Sequence, residues 1–314
     1  MITAQTMQPF IPTNSTLIIG FSGGPDSVCL LSLLVELAPK LNLKLIAAHL
    51  DHQWRQESFK DALWCKKFCT DRGNITCVIK TPTDLNFQVK YNGSQEELGR
   101  KLRRTFLQDL AAQFQADHIV LAHHADDQLE TFFIRLARGS SLTGLTGMKT
   151  SEGLFLRPML HIKKEEILKY LHHHQIEYLT DPTNLNPKYL RNRIRHELMP
   201  QLANIDHRFP ENLKHCMTHL KKTDDFIHQT MLQILQKISK NSMLNTHDFL
   251  QLHEILQHKI LMHLLIQQNI AITPSNALFQ EIVRFLGSHK NQQHQIHPTC
   301  SIIKQADHFY FKSL

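Results

Sequence analysis

Three short stretches carry side chains that could together handle a phosphorylated substrate: "SGGPDS" (22–27), "HHADDQLE" (123–130) and "YLRNRIRHEL" (189–198). In the first, Gly23 and Gly24 can take positive φ and present bare backbone N–H groups, a concave nest for an anion. A helix starting near Ser27 adds the positive end of its dipole. Asp26 is the odd member, because a carboxylate repels phosphate unless a cation stands between them. Mg²⁺, which takes a carboxylate together with phosphate oxygens, would be that cation. The same residues also suit a plain strand-to-helix turn, stiffened by Pro25 and capped by Asp26 or Ser27. The stretch is not a Walker A loop, since no Gly-Lys-Ser/Thr follows it.

The second stretch offers acid–base chemistry. Asp126, Asp127 and Glu130 fall on the first turn of a helix, where positions three and four apart share a face. Such a cluster attracts an ammonium group, and one carboxylate could take its proton to make the amine nucleophilic. The Asp127-x-x-Glu130 spacing equally fits an N-terminal capping box. His123 and His124 could touch a bound nucleotide or pack. The third stretch, with Lys188 just before it, clusters Arg191, Arg193 and Arg195. With Leu190, Ile194 and Leu198 as a buried stripe, Arg191 and Arg195 should share one exposed flank, suited to phosphate contacts that position an RNA. Arg193 faces away, where Glu197 at i+4 can pair with it.

The elements that position these groups are legible as alternating patterns. Apolar runs at 16–21, 43–50, 75–80 and 118–124 read as buried strands, and 27–37, 56–72, 95–115 and 125–138 have helical period. Strand, helix, strand, repeated, predicts an α/β fold, a doubly wound and mainly parallel sheet with helices on both faces. Ligands of such sheets sit beyond the C-terminal ends of the strands. The stretch 139–160, rich in Gly, Ser and Thr, reads as a loop. Helical period returns at 162–174 and from Leu190, and the punctuated segment 199–212 marks a boundary. Residues 213–267 read as almost all helical, and the last fifteen as a small hairpin. The expected division is therefore a catalytic domain over 1–205 and a mostly helical second domain over 206–314.

Composition narrows the class. The chain has 314 residues, 42% hydrophobic and 20% charged, the profile of a globular protein with a real core. No apolar run is long enough for a membrane helix, and the N-terminus lacks the pattern of a secretory signal, so a cytoplasmic location is expected. Six cysteines lie without framework spacing, and Cys65 and Cys69 have three residues between them instead of two. They read as reduced packing thiols. A formal charge of +7 suits a polyanionic partner, and equally a solvated lysine-rich surface.

Taken whole, "SGGPDS" after a first strand resembles the pyrophosphate-binding loop, SGGxDS, of the N-type ATP pyrophosphatases, the PP-loop superfamily. Three further stretches narrow this: "AAHLDHQWR" (47–55), "LAHHADDQLETFFIRLARGSSLTGLTGM" (121–148), and "RPMLHIKKEEILKYL" (157–171) leading to "DPTNLNPKYLRNRIRHELMPQL" (181–202). In this order and spacing they resemble the tRNA(Ile)-lysidine synthase family over roughly residues 15 to 202. Over 213–314 the likeness rests on position and helical character only.

The resemblance implies ATP and Mg²⁺ at Ser22, Gly23, Gly24, Pro25, Asp26 and Ser27, with Asp26 on the metal. It implies adenylation of the C2 oxygen of cytidine 34 in the AUA-reading tRNA(Ile), whose anticodon is CAU. Free L-lysine then displaces AMP to give lysidine, which changes the tRNA's identity from methionine to isoleucine. Asp127 and Glu130 would recognise lysine, and Arg191 and Arg195 would bind tRNA.

The helix "EELGRKLRRTF" (96–106) corresponds to a family pattern Ala-Arg-x-x-Arg-Tyr, matched by Arg100 and Arg103. Arg100 could stabilise charge on phosphate in the transition state. Gly99 replaces the usual alanine and Arg104 the tyrosine, and Arg103 with Arg104 also suits a basic solvated face. Rivals are a tRNA-thiolating PP-loop enzyme, a dinuclear metal phosphoesterase reading "HLDH" (49–52) and "HHADD" as ligands, and a non-catalytic RNA-binding module. A homodimer is left open.

Overall fold

Along the first strand, β1 (Thr16–Gly20), side chains alternate between two helical layers. Leu17 and Ile19 enter one buried cluster and Ile18 the other. The computed structural model describes residues 2–73, 75–85, 95–180, 189–240, 243–268, 275–288 and 292–313. Lys188 and residues 181–187 of the third motif lie outside them.

The chain forms two compact units, Met1–Met217 and Thr218–Leu314. In the first, a short helix α1 (Ala4–Met7) precedes β1. Then follow α2 (Pro25–Leu41), β2 (Lys44–Leu50), α3 (Ser58–Asp71), β3 (Thr76–Lys80), α4 (Gln95–Gln113), β4 (His118–Val120) and α5 (Ala125–Ala137). Beyond these come α6 (Leu142–Leu145), β5 (Ser151–Glu152), β6 (Phe155–Leu156), α7 (Lys164–His173), α8 (Leu190–Arg193) and α9 (Met199–Ile205). The sheet order is β3-β2-β1-β4-β6-β5, parallel except for the edge pair β5–β6.

One layer packs α1, α2, α3 and α7 on the sheet, with Leu30, Leu31, Leu33 and Leu34 of α2 wholly buried. The opposite layer is α4, through Leu102, Phe106, Leu107 and Leu110. The chain runs from β1 outward to β3, then returns to place β4 on β1's other side. That reversal puts the topological switch point between β1 and β4, where a crevice opens above their C-terminal ends.

The stretch 139–160 is not simply a loop. It holds α6, β5 and β6, and β6 extends the parallel sheet beyond β4, with Ile119 opposite Phe155. Two-residue strands carry no periodicity of their own, so only pairing reveals them. The fourth strand ends at Val120, earlier than its apolar run, because His123 and His124 leave the sheet to start α5.

In the second unit the helical run is broken. After α10 (Phe209–Ile238), within which the units divide, come β7 (Ser239–Lys240) and β8 (Met243–Asn245). Next are α11 (Thr246–Leu250), α12 (Glu254–Gln267), α13 (Asn276–Gly287), β9 (Gln293–His297), β10 (Cys300–Gln305) and β11 (His308–Ser313). The expected hairpin, β10–β11, is the centre of a five-stranded antiparallel sheet, β7-β8-β11-β10-β9. Its apolar face, with Ile302 and Phe309, packs on Ile260, Leu261 and Ile282 of the helices. No helix among the described residues is long and apolar enough to cross a membrane.

Phe106→Ala, which empties a fully buried ring site beneath α4, should cost about 3–5 kcal/mol. A urea melt of the variant should show a lower midpoint at unchanged slope.

Candidate active site

The loop leaving β1 is shaped by its own hydroxyls. The Ser22 N–H donates to Ser27 Oγ at 3.2 Å, and Ser27 Oγ donates to the Gly24 carbonyl at 3.0 Å. Gly23 has φ +78°, and a Cβ there would stand 2.7 Å from Leu179 Cδ1 and 3.0 Å from Cys65 Sγ. Both facts require glycine. Leu179 ties a distant segment to the loop by donating its N–H to the Gly23 carbonyl at 2.9 Å. Pro25 opens α2, a position where its missing N–H costs nothing, and the remaining first-turn N–H groups have no partner within the helix. The loop is thus a glycine nest at a helix N-terminus, the geometry an anion needs.

Asp26, in that first turn, begins a chain of ion pairs across the crevice. Its Oδ1 accepts from Lys164 Nζ at 2.5 Å, and its Oδ2 faces His124 Nε2 at 3.6 Å. His124 Nε2 lies 3.5 Å from Asp127 Oδ2, which also accepts the His124 N–H at 2.9 Å as the helix cap. Asp127 Oδ1 accepts from Arg191 Nη2 at 2.7 Å, and Glu130 accepts from Arg191 Nε at 2.7 Å and Arg195 Nε at 2.6 Å. Three carboxylates thereby meet Lys164, Arg191, Arg195 and one histidine.

Arg191 and Arg195 do not stand on an exposed flank. One turn apart on α8 and the widened π turn Ile194–Leu198 that continues it, they point together at α5. The apolar stripe located Ile194 in the core correctly, but no periodicity reveals that a helix's polar flank faces two acids. Their side chains are 23% and 36% exposed, against 2% for Glu130.

The environment tunes these groups. Burial alone would raise the Asp26 carboxyl, but the His124 contact and the Lys164 charge outweigh it and hold the pKa below its usual value. Asp127 is likewise held low: burial opposes, and the His124 and Arg191 charges prevail. For His124 burial lowers the pKa, and the Asp26 contact with the Asp127 and Asp26 charges raises it above 6.5 overall. His123 has the opposite outcome, pushed down by burial to about 3, and is a neutral ring.

Other sequence candidates are placed less centrally. Asp126 is only partly buried, outside the chain of ion pairs. Arg100 makes no ion pair among the described residues, and desolvation with the Arg191 and Arg157 charges holds its pKa below normal. Unpaired positive charge beside the crevice is what a polyphosphate would neutralise. Arg104, in place of the family tyrosine, lies over the Phe155 ring at 4.6 Å. Arg157 was not singled out by sequence; it is 3% exposed and donates to the Lys149 carbonyl and to Glu152. Nor was Lys164, whose partner is 138 residues away.

The "HLDH" residues do not form a metal cage. His49 Nδ1 binds the Phe21 carbonyl at 3.0 Å, and the Asp51 carboxylate accepts from the Gln53 N–H at 2.9 Å. Among the described residues no group of three or more His, Cys, Asp or Glu could hold a metal by itself. Cys29, Cys65 and Cys69 are buried in the α2–α3 layer. Asp26 fits a magnesium ion of another kind, one that takes a single carboxylate oxygen and completes its shell with phosphate and water. Among the described residues its Oδ2 has only the long His124 contact.

Residues 2–202 match a family model described as a PP-loop domain. The chain belongs to the PP-loop family. Among curated proteins, the tRNA(Ile)-lysidine synthase of Geobacillus kaustophilus (strain HTA426) is 30% identical over 83% of this chain and 58% of its own length. That of Clostridioides difficile (strain 630) is 32% identical over 80% and 56%, and that of Bacillus licheniformis 38% over 60% and 40%. This PP-loop chain spans about half the length of the curated relatives it matches. Among solved structures, the U34-tRNA thiolase NcsA from Methanococcus maripaludis, with its 4Fe-4S cluster, aligns at TM-score 0.57 and 19% identity. The alignment covers 69% of this chain and 77% of that one, a likeness of PP-loop fold alone.

Two outcomes follow. In an NMR titration His124 should show a pKa above 6.5, and Asp26→Asn should lower it. Because the folded value is the raised one, this group's stabilisation is complete below pH 6.5 and fades as pH rises through the folded pKa. Arg191→Ala leaves Asp127 and Glu130 buried with only Arg195 as a guanidinium partner. It should cost about 3 kcal/mol in a denaturant melt, the low end for a broken buried pair.

Proposed function

We propose that this chain ligates free lysine to C2 of cytidine 34 in the CAU-bearing tRNA(Ile), with ATP converted to AMP and pyrophosphate. The observation that carries the reading is the acidic pair Asp127–Glu130, joined by His124 to the Asp26 loop. A phosphate nest and an ammonium pocket then lie at one switch point. That is what a reaction with an adenylated intermediate and an amine nucleophile requires.

In this reading the Ser22–Ser27 loop holds the departing pyrophosphate through its N–H groups and the α2 dipole. Asp26 would hold Mg²⁺ by a carboxylate oxygen, and the ion there supplies charge neutralisation to the phosphates. Arg100 meets negative charge growing on the phosphate as the C2 oxygen attacks phosphorus. Asp127 and Glu130 orient lysine's side-chain nitrogen, and one of them takes the proton released as nitrogen bonds to C2 and AMP leaves. Arg191 and Arg195 bring the same charge to those carboxylates before lysine does, and their exposed edges serve RNA phosphates. Residues 1–205 carry the chemistry, and the second domain, 206–314, adds tRNA contacts. The protein works in the cytoplasm, where its tRNA is.

The test is pyrophosphate release that requires tRNA(Ile), followed by mass analysis of the nucleosides for lysidine. Incorporated sulfur, or nucleotide cleavage without lysine, would each replace the reading. Asp26→Asn should lose pyrophosphate release by at least about a hundredfold. Glu130→Gln should retain adenylation of the tRNA better than lysine transfer. Equal loss of both in a protein that folds by circular dichroism would assign Glu130 to structure instead.

A further inference from the structure

The segment that follows β2 carries an aromatic surface with no part in the chemistry above. Trp54 is 44% exposed, although it sits in the first unit's crevice-side loop. The His52 ring stacks on it at 4.5 Å between centroids, with the planes 21° apart. Behind the indole lies Gly99 of α4. A Cβ there would stand 2.6 Å from Trp54 Cη2, so the glycine in place of the family alanine is what lets the ring seat. Arg103, one turn along α4, donates from Nη2 to His52 Nε2 at 3.3 Å.

Because a guanidinium only donates, Nε2 is the acceptor and Nδ1 carries the imidazole proton. That Nδ1 is buried without a hydrogen-bond partner, and burial with the Arg103 charge pushes the His52 pKa down to about 4. The ring is therefore neutral and offers the indole a flat apolar backing. Gly99 and Arg103 thus hold both rings from behind.

Among the described residues one indole face meets His52 and its far edge meets Gly99, and the ring keeps a large exposed area. Exposed Arg100, Arg103 and Arg104 line the adjoining helix. A π-face beside several cations is the combination that takes a base of a single-stranded nucleic acid, with stacking for the ring and charge for the backbone. The phosphate nest heads α2, which packs on the opposite face of the sheet from α4. The aromatic surface therefore belongs to the other layer, opposite the nest and on the helix that also carries Arg100.

We propose that Trp54, backed by His52 and flanked by Arg103, is a stacking platform for one unpaired nucleobase of the RNA substrate's anticodon loop. This rests on the reading that the chain acts on tRNA, and goes beyond it by naming where a base is held.

The chain has two tryptophans, so Trp64→Phe leaves Trp54 as the sole indole reporter. Trp64 stacks on Phe68, and phenylalanine preserves that contact. In this background, titration with an anticodon stem-loop bearing CAU should quench the emission, and ATP alone should not. Trp54→Ala should weaken stem-loop affinity by about tenfold or more, and Trp54→Phe by less. Gly99→Ala, which displaces the ring, should fall between them, with ATP affinity unchanged in all three.

An unmoved emission at saturating stem-loop, equal affinities for Trp54→Ala and wild type, or full quenching by ATP alone would overturn the platform. The two readings fail separately. Quenching and the affinity loss without any lysine transfer would keep the platform and remove lysidine formation. Full-rate lysidine formation with unweakened tRNA binding in Trp54→Ala would do the reverse.

Discussion

The ion-pair chain from Lys164 through Asp26, His124 and Asp127 to Glu130 and its two arginines is the constraint on which the site depends. Glu130 and Asp127 are almost removed from water, and an unpaired carboxylate in such a place would cost several kcal/mol. Each must therefore have its cation, and the cations come from three different parts of the chain. Lys164 stands at the start of α7, His124 at the cap of α5, and Arg191 and Arg195 on α8 and its continuation. Satisfying those charges pulls the segments to one point above the sheet. Such a network adds little net stability for its size, and its consequence is position: the phosphate loop and the acidic pocket are held in register.

The sheet makes this convergence possible. Ile19 of β1 stands opposite Val120 of β4, so the two strands finish level and their loops open on the same crevice. From there the chain turns into α2 in one case and α5 in the other. Separation of the layers also separates tasks. The helix that heads the phosphate nest packs on one face, and the arginine-bearing α4 covers the other. A polyanion lying over the end of the sheet would meet both.

Substitutions on α4 show how the scaffold adapts. Arg104, where the family has tyrosine, keeps an aromatic contact by lying over Phe155 of β6, itself a strand the sequence did not disclose. Gly99 gives up a methyl group and gains the close approach of an indole. Neither change disturbs the buried side of the helix, where Leu102, Phe106 and Leu110 keep helical spacing. The layer tolerates a new surface because its core contacts are made by other residues.

Local sequence determined a good deal by itself. Gly23 needs positive φ, Pro25 suits a helix start, and apolar runs of strand length alternating with helical periods require a parallel sheet. These depend on backbone sterics and side-chain periodicity within a few residues, so they are legible without knowing what lies nearby. The Asp127–Glu130 turn was equally legible, but the capping box is not the Asp127-x-x-Glu130 one its spacing suggested: the N-cap is His124, Asp127 Oδ2 accepts its N–H, and Glu130 takes arginines instead. Only the tertiary structure decided which way Arg191 and Arg195 face, because a helix's polar flank has no address until another element presents charge to it. It alone decided that Lys164 meets Asp26, since 138 residues separate them. It decided too that Phe155–Leu156 and Gln293–His297 are strands, because such short segments have no propensity strong enough to fold without partners to hydrogen-bond.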